Sequence, residues 1–196
     1  MSERRTEILD AALRVLASQG MRGLTHRAVD AETGIPTGST SYYFRSRSAL
    51  VAGCVERLLE IEPQTGLRPV GAGKRPPSDL ASVLTGMVVA RVTTLRHLTV
   101  ARYELTLAAL RDPELAAALR NGGDSIRVLL ARTLRELGVA DPDAAAAEVA
   151  AALEGLMFTA LLRGLLEPAA LTAWIRPACE RVLLAQPGRA ATVPER

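Results

Sequence analysis

Lysine, aromatic residues, histidine and cysteine are all scarce in this chain. Of its 24 basic residues only Lys74 is a lysine, and the rest are arginine. Aromatic side chains make up 3% of the 196 residues while hydrophobic ones make up 48%, so the apolar mass is Ala, Leu and Val. Ala and Leu favour helix, and few stretches alternate with the period of two that a strand needs. The composition argues against a sheet and for an all-α fold with enough Leu and Val to build a core.

The two cysteines, Cys54 and Cys179, lie far apart, with no CxxC and no metal-ligand spacing. They read as small buried hydrophobes in a reducing cytosol. The two histidines, His26 and His97, sit in no metal or catalytic-triad motif, and there is no phosphate loop or nucleophile elbow. An enzyme is therefore not expected, nor is a metal or other cofactor. No apolar run is read as reaching the roughly 18 residues of a membrane span. The N-terminal MSERRTEILDAA mixes acids with bases and lacks the apolar stretch of a signal peptide. A cytoplasmic protein without a membrane partner is expected. The net charge of +3 constrains partners weakly, although arginine's planar, always-charged fork suits phosphate.

What is present is helix punctuation. Residues 3 to 19 carry an apolar face at helical spacing, with Ser2 as a candidate cap and Gly20 as a stop. The stretch LTHRAVDAETGIPTGSTSYYFRSRSAL, residues 24 to 50, predicts two short helices. The first begins at a Thr25 cap and ends at Gly34; the second begins at Pro36 and ends near Tyr43. That is the pattern of a helix-turn-helix, whose second helix lies in the DNA major groove. A longer helix, capped by Ser46, ends before Pro63 and leads away from this head. Residues 62 to 79 are rich in Pro and Gly and read as a linker.

Beyond it, helices are expected over Leu80 to about Leu95 and Val100 to Arg111. Asp112-Pro113-Glu114 and Asp141-Pro142-Asp143 each read as a cap followed by Pro in the first turn. Asn121-Gly122-Gly123 predicts a kink or break, because two glycines cost about 2 kcal/mol of helix propensity. The helix from Asp141 is expected to reach about Leu166, and a last one to span about Pro168 to Ala185. The tail from Gln186 is expected to be frayed.

The order of parts resembles the TetR family of transcriptional regulators. The resemblance is carried by Thr25, Val29, Asp30, Gly34, Ile35, Gly38, Phe44, Arg47 and Leu50. It is strongest in motif over residues 4 to 50 and extends beyond them as helix order. The sequence departs from the family pattern at Asp30, where Ala is usual, at Thr40 and Ser41, where a hydrophobic residue and Tyr are usual, and at Arg47, where Lys is usual. The resemblance implies an N-terminal three-helix helix-turn-helix head over 1–46. It also implies a larger C-terminal helical body for ligand binding and dimerisation over 47–196, about nine helices in all.

Thr37, Ser39 and Thr40 are the candidates for base edges, with Gly38 allowing close approach of the backbone. Thr25, His26, Arg27, Tyr42, Tyr43, Arg45 and Arg47 are the candidates for phosphates. In the body, polar groups on otherwise apolar helices suggest a pocket made from Met87, Arg91, Thr94, His97, Tyr103, Phe158 and Arg163. Two faces of small and branched residues suggest a homodimer through the last two helices: Val149, Ala152, Leu153, Leu156, Ala160 and Leu161, then Leu171, Trp174, Ile175, Ala178 and Val182. The expected partners are double-stranded DNA, a small-molecule effector and a second copy of the chain. Repression, the family default, is the expected outcome. The alternative is a helical small-molecule-binding or scaffold protein whose head is degenerate, a reading that Asp30, Thr40 and Ser41 keep open.

Overall fold

The computed structural model describes residues 3–65 and 77–186. Ser2, most of the predicted linker and all of the predicted tail except Gln186 lie outside them. Nine helices occur among the described residues, and no strand. They are α1 (Glu3–Gly23), α2 (His26–Thr33), α3 (Ser39–Tyr43), α4 (Arg47–Thr65), α5 (Pro77–Val92), α6 (Arg96–Ala109), α7 (Pro113–Glu136), α8 (Pro142–Leu162) and α9 (Pro168–Leu184).

The cap chemistry operates where the sequence places it. Thr25 accepts from the Ala28 amide at 3.1 Å and Ser46 from the Ala49 amide at 3.1 Å. Asp112 Oδ1 accepts from the amides of Glu114 and Leu115, and Asp141 from Ala144. Gly20, at φ 66° and ψ −174°, is non-helical and interrupts α1 where the sequence places a stop, with one further turn following. Other boundaries differ from expectation. The second helix of the head starts at Ser39 rather than Pro36, because Pro36-Thr37-Gly38 forms the turn. The fourth helix passes through Pro63 to Thr65, and α7 runs through Asn121-Gly122-Gly123 without a break. Helix propensity is a weak prior that flanking residues outvote in a long helix.

The chain divides into two compact units. The first comprises residues 1–65 and 95–123, the second residues 66–94 and 124–196. This division by packing differs from the boundary expected at 46/47. In the first unit α1 lies against α2, α4 and α6. Ile8, Leu9, Leu13 and Leu16 of α1 meet Leu24, Val29, Phe44, Leu50, Cys54 and Leu58 in one core, which Leu98, Ala101, Leu105 and Leu115 complete. In the second unit α5 packs against α8 and α9 around Leu84, Val88, Leu130, Leu134, Val149, Leu171 and Ile175. Cys54 and Cys179 are both buried, as their reading as core hydrophobes requires.

Helices α8 and α9 depart from two further expectations. Helix α8 is long and apolar enough to cross a membrane by length and composition, although no such run was read in the sequence. Ala145, Ala146, Val149, Leu153, Met157 and Ala160 bury one side of it in the second core. In addition, Val149, Leu153, Ala160, Leu171 and Ile175, taken from sequence as dimer-face residues, are buried within their own chain. The periodicity that marks an apolar face does not tell which neighbour covers it.

Candidate nucleic-acid interface

The recognition helix is short and cannot hold itself in place. Helix α3 has five residues, and its N-cap is Gly38, at φ 94°, which offers no side chain to the first amides. Asp30, on α2, supplies what is missing. Its Oδ2 accepts from the Gly38 amide at 2.7 Å and its Oδ1 from the Thr40 amide at 2.8 Å. The residue is 3% exposed. Burial pushes its pKa up, but Thr40, the Gly38 amide and the charge of His26 outweigh burial, and the carboxyl titrates below its usual value. The Thr40 hydroxyl, fully buried beside this carboxylate, helps to lower its pKa.

The other end of α3 is held as well. His26 Nε2 donates to the Phe44 carbonyl at 2.7 Å. Phe44 is buried, the Arg5 guanidinium lies 5.2 Å from its ring centroid, and Gly53 of α4 sits directly against the ring. Arg47 donates through Nε to the Leu24 carbonyl at 3.3 Å and through Nη2 to the Met21 carbonyl, which ties the start of α4 to the turn before α2. Glu104 of α6 accepts from the Met21 amide at 3.0 Å and holds the same turn. Arg14 pairs with Glu32 at 2.7 Å between α1 and α2, and Arg57 grips Asp10 with two bonds between α4 and α1.

The predicted DNA residues differ in exposure. Thr25, Arg27, Thr37, Gly38, Tyr42, Tyr43, Arg45 and Arg47 are exposed, and Tyr42 and Tyr43 meet edge to face with centroids 5.3 Å apart. Ser39 is half-buried, with its hydroxyl on the Pro36 carbonyl at 2.6 Å. Thr40 is fully buried, so the expectation that it reads a base edge fails in this geometry. His26 and Arg47 spend hydrogen bonds on backbone carbonyls, where phosphate ligands were expected. Sequence reasoning missed two residues. Asp30 was taken as a departure, when a glycine at the cap position eight residues later was the signal for a distant acceptor. Ser41, also taken as a departure, is exposed on α3.

The seven predicted ligand residues are not brought together within one unit. His97 and Tyr103 belong to the first; Met87, Arg91, Thr94, Phe158 and Arg163 belong to the second. Within the second, Arg91 is buried and Met87 half-buried, while Thr94, Phe158 and Arg163 are exposed. The first unit contains a cleft of about 670 Å³ and the second one of about 220 Å³. None of the seven residues lines either. Among the described residues no cluster of three or more His, Cys, Asp or Glu is placed to hold a metal.

The chain is similar to known proteins in sequence and in fold. Residues 8–54 match the family described as bacterial regulatory proteins, tetR family, and residues 75–185 match the tetracyclin repressor-like C-terminal domain. An HTH-type transcriptional regulator BetI from Burkholderia cenocepacia is 33% identical over 82 residues, which are 41% of this chain and 42% of that protein. The match thus spans less than half the length of that relative. A solved member of the TetR family from Streptomyces coelicolor A3 is 30% identical, with a TM-score of 0.70 over 92% of this chain and 98% of the other. The multidrug binding protein EbrR, solved in complex with proflavin, is 30% identical, with a TM-score of 0.56 over 92% and 99% of the two chains.

Proposed function

The chain belongs to the TetR family of bacterial regulatory proteins, and from that premise we propose that it is a ligand-responsive transcriptional repressor. It binds a palindromic operator as a homodimer in the cytoplasm and is released by a small-molecule effector. The observation that carries the DNA-binding reading is the clamped α3, held at one end by Asp30 and at the other by His26. A short helix fixed at both ends presents its remaining face to a groove without loss of order on binding.

Thr37, Ser39, Ser41 and Tyr42, with the Gly38 backbone, face base edges in this reading. Thr25, Arg27, Tyr43 and Arg45 contact phosphates. Asp30, His26, Thr40 and Arg47 act from behind, as the frame. Residues 1–46 remain the DNA-reading segment, even though their core is completed by α4, α6 and the start of α7. No exposed candidate on α3 offers the two-pronged contact of arginine with guanine, so phosphate contacts and DNA shape carry much of the affinity.

One α3 reads too few base pairs for useful specificity, and a two-fold dimer doubles the site. Ala151, Gly155, Phe158 and Leu162 form an exposed stripe along α8 and supply the dimer seam. The EbrR complex with proflavin supports a small organic effector. Met87, Arg91 and Thr94 are the starting points for its site on α5. Effector binding shifts the population toward a spacing of the two heads that no longer fits successive grooves, which requires unequal effector affinity for the two states.

The test is a titration of the protein with the DNA upstream of its own gene, followed by fluorescence anisotropy. Binding that weakens steeply as salt rises is expected. Absence of binding to any duplex at low salt would sink the reading and leave the helical scaffold with a degenerate head.

A further inference from the structure

Helix α6 lies outside residues 1–46, yet it reaches the turn from which the recognition helix hangs. Ala101 and Leu105 are fully buried in the core of the first unit, where α6 lies against α1. Glu104 stands three positions after Ala101, so its half-buried side chain leaves α6 on the side that faces α1. It meets α1 at the bend. Gly20 has φ 66° and ψ −174°, a conformation that interrupts the helical run of amide-to-carbonyl bonds just before Met21. Glu104 Oε2 accepts from the Met21 amide at 3.0 Å. The carboxylate lies directly over Gly20: a Cβ there would stand 3.2 Å from Oε2 and 3.5 Å from Cδ. Glycine suits position 20 twice over, by its positive φ and by this close approach. Glu104 forms no ion pair among the described residues, so the contact uses it as a hydrogen-bond acceptor.

The same turn is gripped from α4. Arg47 donates to the carbonyls of Met21 and Leu24. Thr25, the next residue, caps α2, and α2 carries both residues that clamp α3, His26 and Asp30. The turn before α2 is thus held by one side chain of α6 and one of α4, and the clamp on α3 follows wherever that turn is set.

We propose that Glu104 is a positioning residue for DNA binding: from α6 it fixes the turn before α2, and through α2 the pose of α3, without touching DNA. The inference rests on the reading of the head as DNA-binding and adds a control point on a helix outside that head.

The test is an anisotropy titration of the full chain with the DNA upstream of its own gene, at several salt concentrations and well below the melting temperature. Glu104→Gln keeps an acceptor at the same reach and loses the charge; its affinity is expected to stay within about threefold of wild type. Glu104→Asp keeps the charge but is one methylene too short. It is expected to bind at least tenfold more weakly, as is Glu104→Ala, both with the wild-type salt slope because no phosphate contact is lost. The losses from Glu104→Ala and Arg47→Ala are expected not to multiply in the double variant, since either one frees the same turn. The Asp and Gln variants decide the matter by themselves if Glu104→Ala does not fold. Wild-type affinity in Glu104→Asp, with only the urea midpoint lowered, would reduce Glu104 to a stabilising contact and overturn the inference. So would weak binding by Glu104→Gln, since charge rather than the bond would then matter, or losses that multiply. A wild type that binds no duplex at low salt would reject the DNA-binding reading itself, and this inference with it.

Discussion

Asp30 is the residue on which the recognition helix depends. It converts two amides that Gly38 cannot cap into charge-assisted hydrogen bonds inside the protein. Bonds of this kind are worth about 1.5–3 kcal/mol each. Asp30→Asn, which cannot accept at both positions without presenting an NH₂ group to one of the amides, is expected to destabilise the first unit by about 2 kcal/mol. It should also lower DNA affinity at least tenfold, with the salt slope unchanged because the carboxylate meets no phosphate. Wild-type affinity in an anisotropy titration would show that α3 is held by something else. The pH dependence has a definite sign. The folded pKa lies below the ordinary 3.8, so the contribution of Asp30 is complete above that value and is lost only as pH falls through the folded pKa. Gly53 is a second critical residue. A Cβ there would stand 2.7 Å from Phe44 Cε1 and 2.9 Å from Leu9 Cδ2. Gly53→Ala is expected to cost about 1–3 kcal/mol in chemical denaturation, as overpacked cores do.

At the scale of elements, caps were legible because they act within three residues. Thr25, Ser46, Asp112 and Asp141 all bond amides two or three positions ahead. Thr40, His26 and Arg47 were not legible as frame residues, because their partners or their burial come from other elements. The three elements of the head make a discriminating prediction. Arg45, exposed beside α3, should lower the salt slope by about 0.9 when changed to Ala, the loss expected for one phosphate contact. Arg47→Ala should lower affinity with the slope retained, since its guanidinium is occupied by carbonyls. A flattened slope for Arg47→Ala in the same titrations would return it to the phosphate contacts. Thr40→Val should leave the base preference and the salt slope unchanged, because the fully buried side chain reaches neither a base edge nor a phosphate.

At the scale of the whole molecule, two cores are built from segments that interleave along the chain. Helix α7 contributes its start to the first and its end to the second, so a single sequence boundary does not separate them. The proposed dimer uses what remains of α8 once its buried side is consumed. Gly155 has open space around it, and Phe158 and Leu162 are 52% and 77% exposed. Gly155→Arg is therefore expected to leave the fold intact and yield a monomer in analytical ultracentrifugation, with loss of operator binding. A dimer that persists would place the seam elsewhere.

The sequence by itself determined the all-helical class, the helix-turn-helix and most helix ends. Periodicity and capping are local, and each is decided within one or two turns of chain. Only the tertiary structure decided that Asp30 fastens α3, that Thr40 faces inward and that the best small apolar faces of α8 and α9 serve their own chain. It also placed Glu104 of α6 against the amide of Met21. These facts share one cause. The partner of a buried polar group, or the cover of an apolar stripe, is chosen by packing between residues far apart in sequence, and one chain's pattern of residues does not encode which pair will meet.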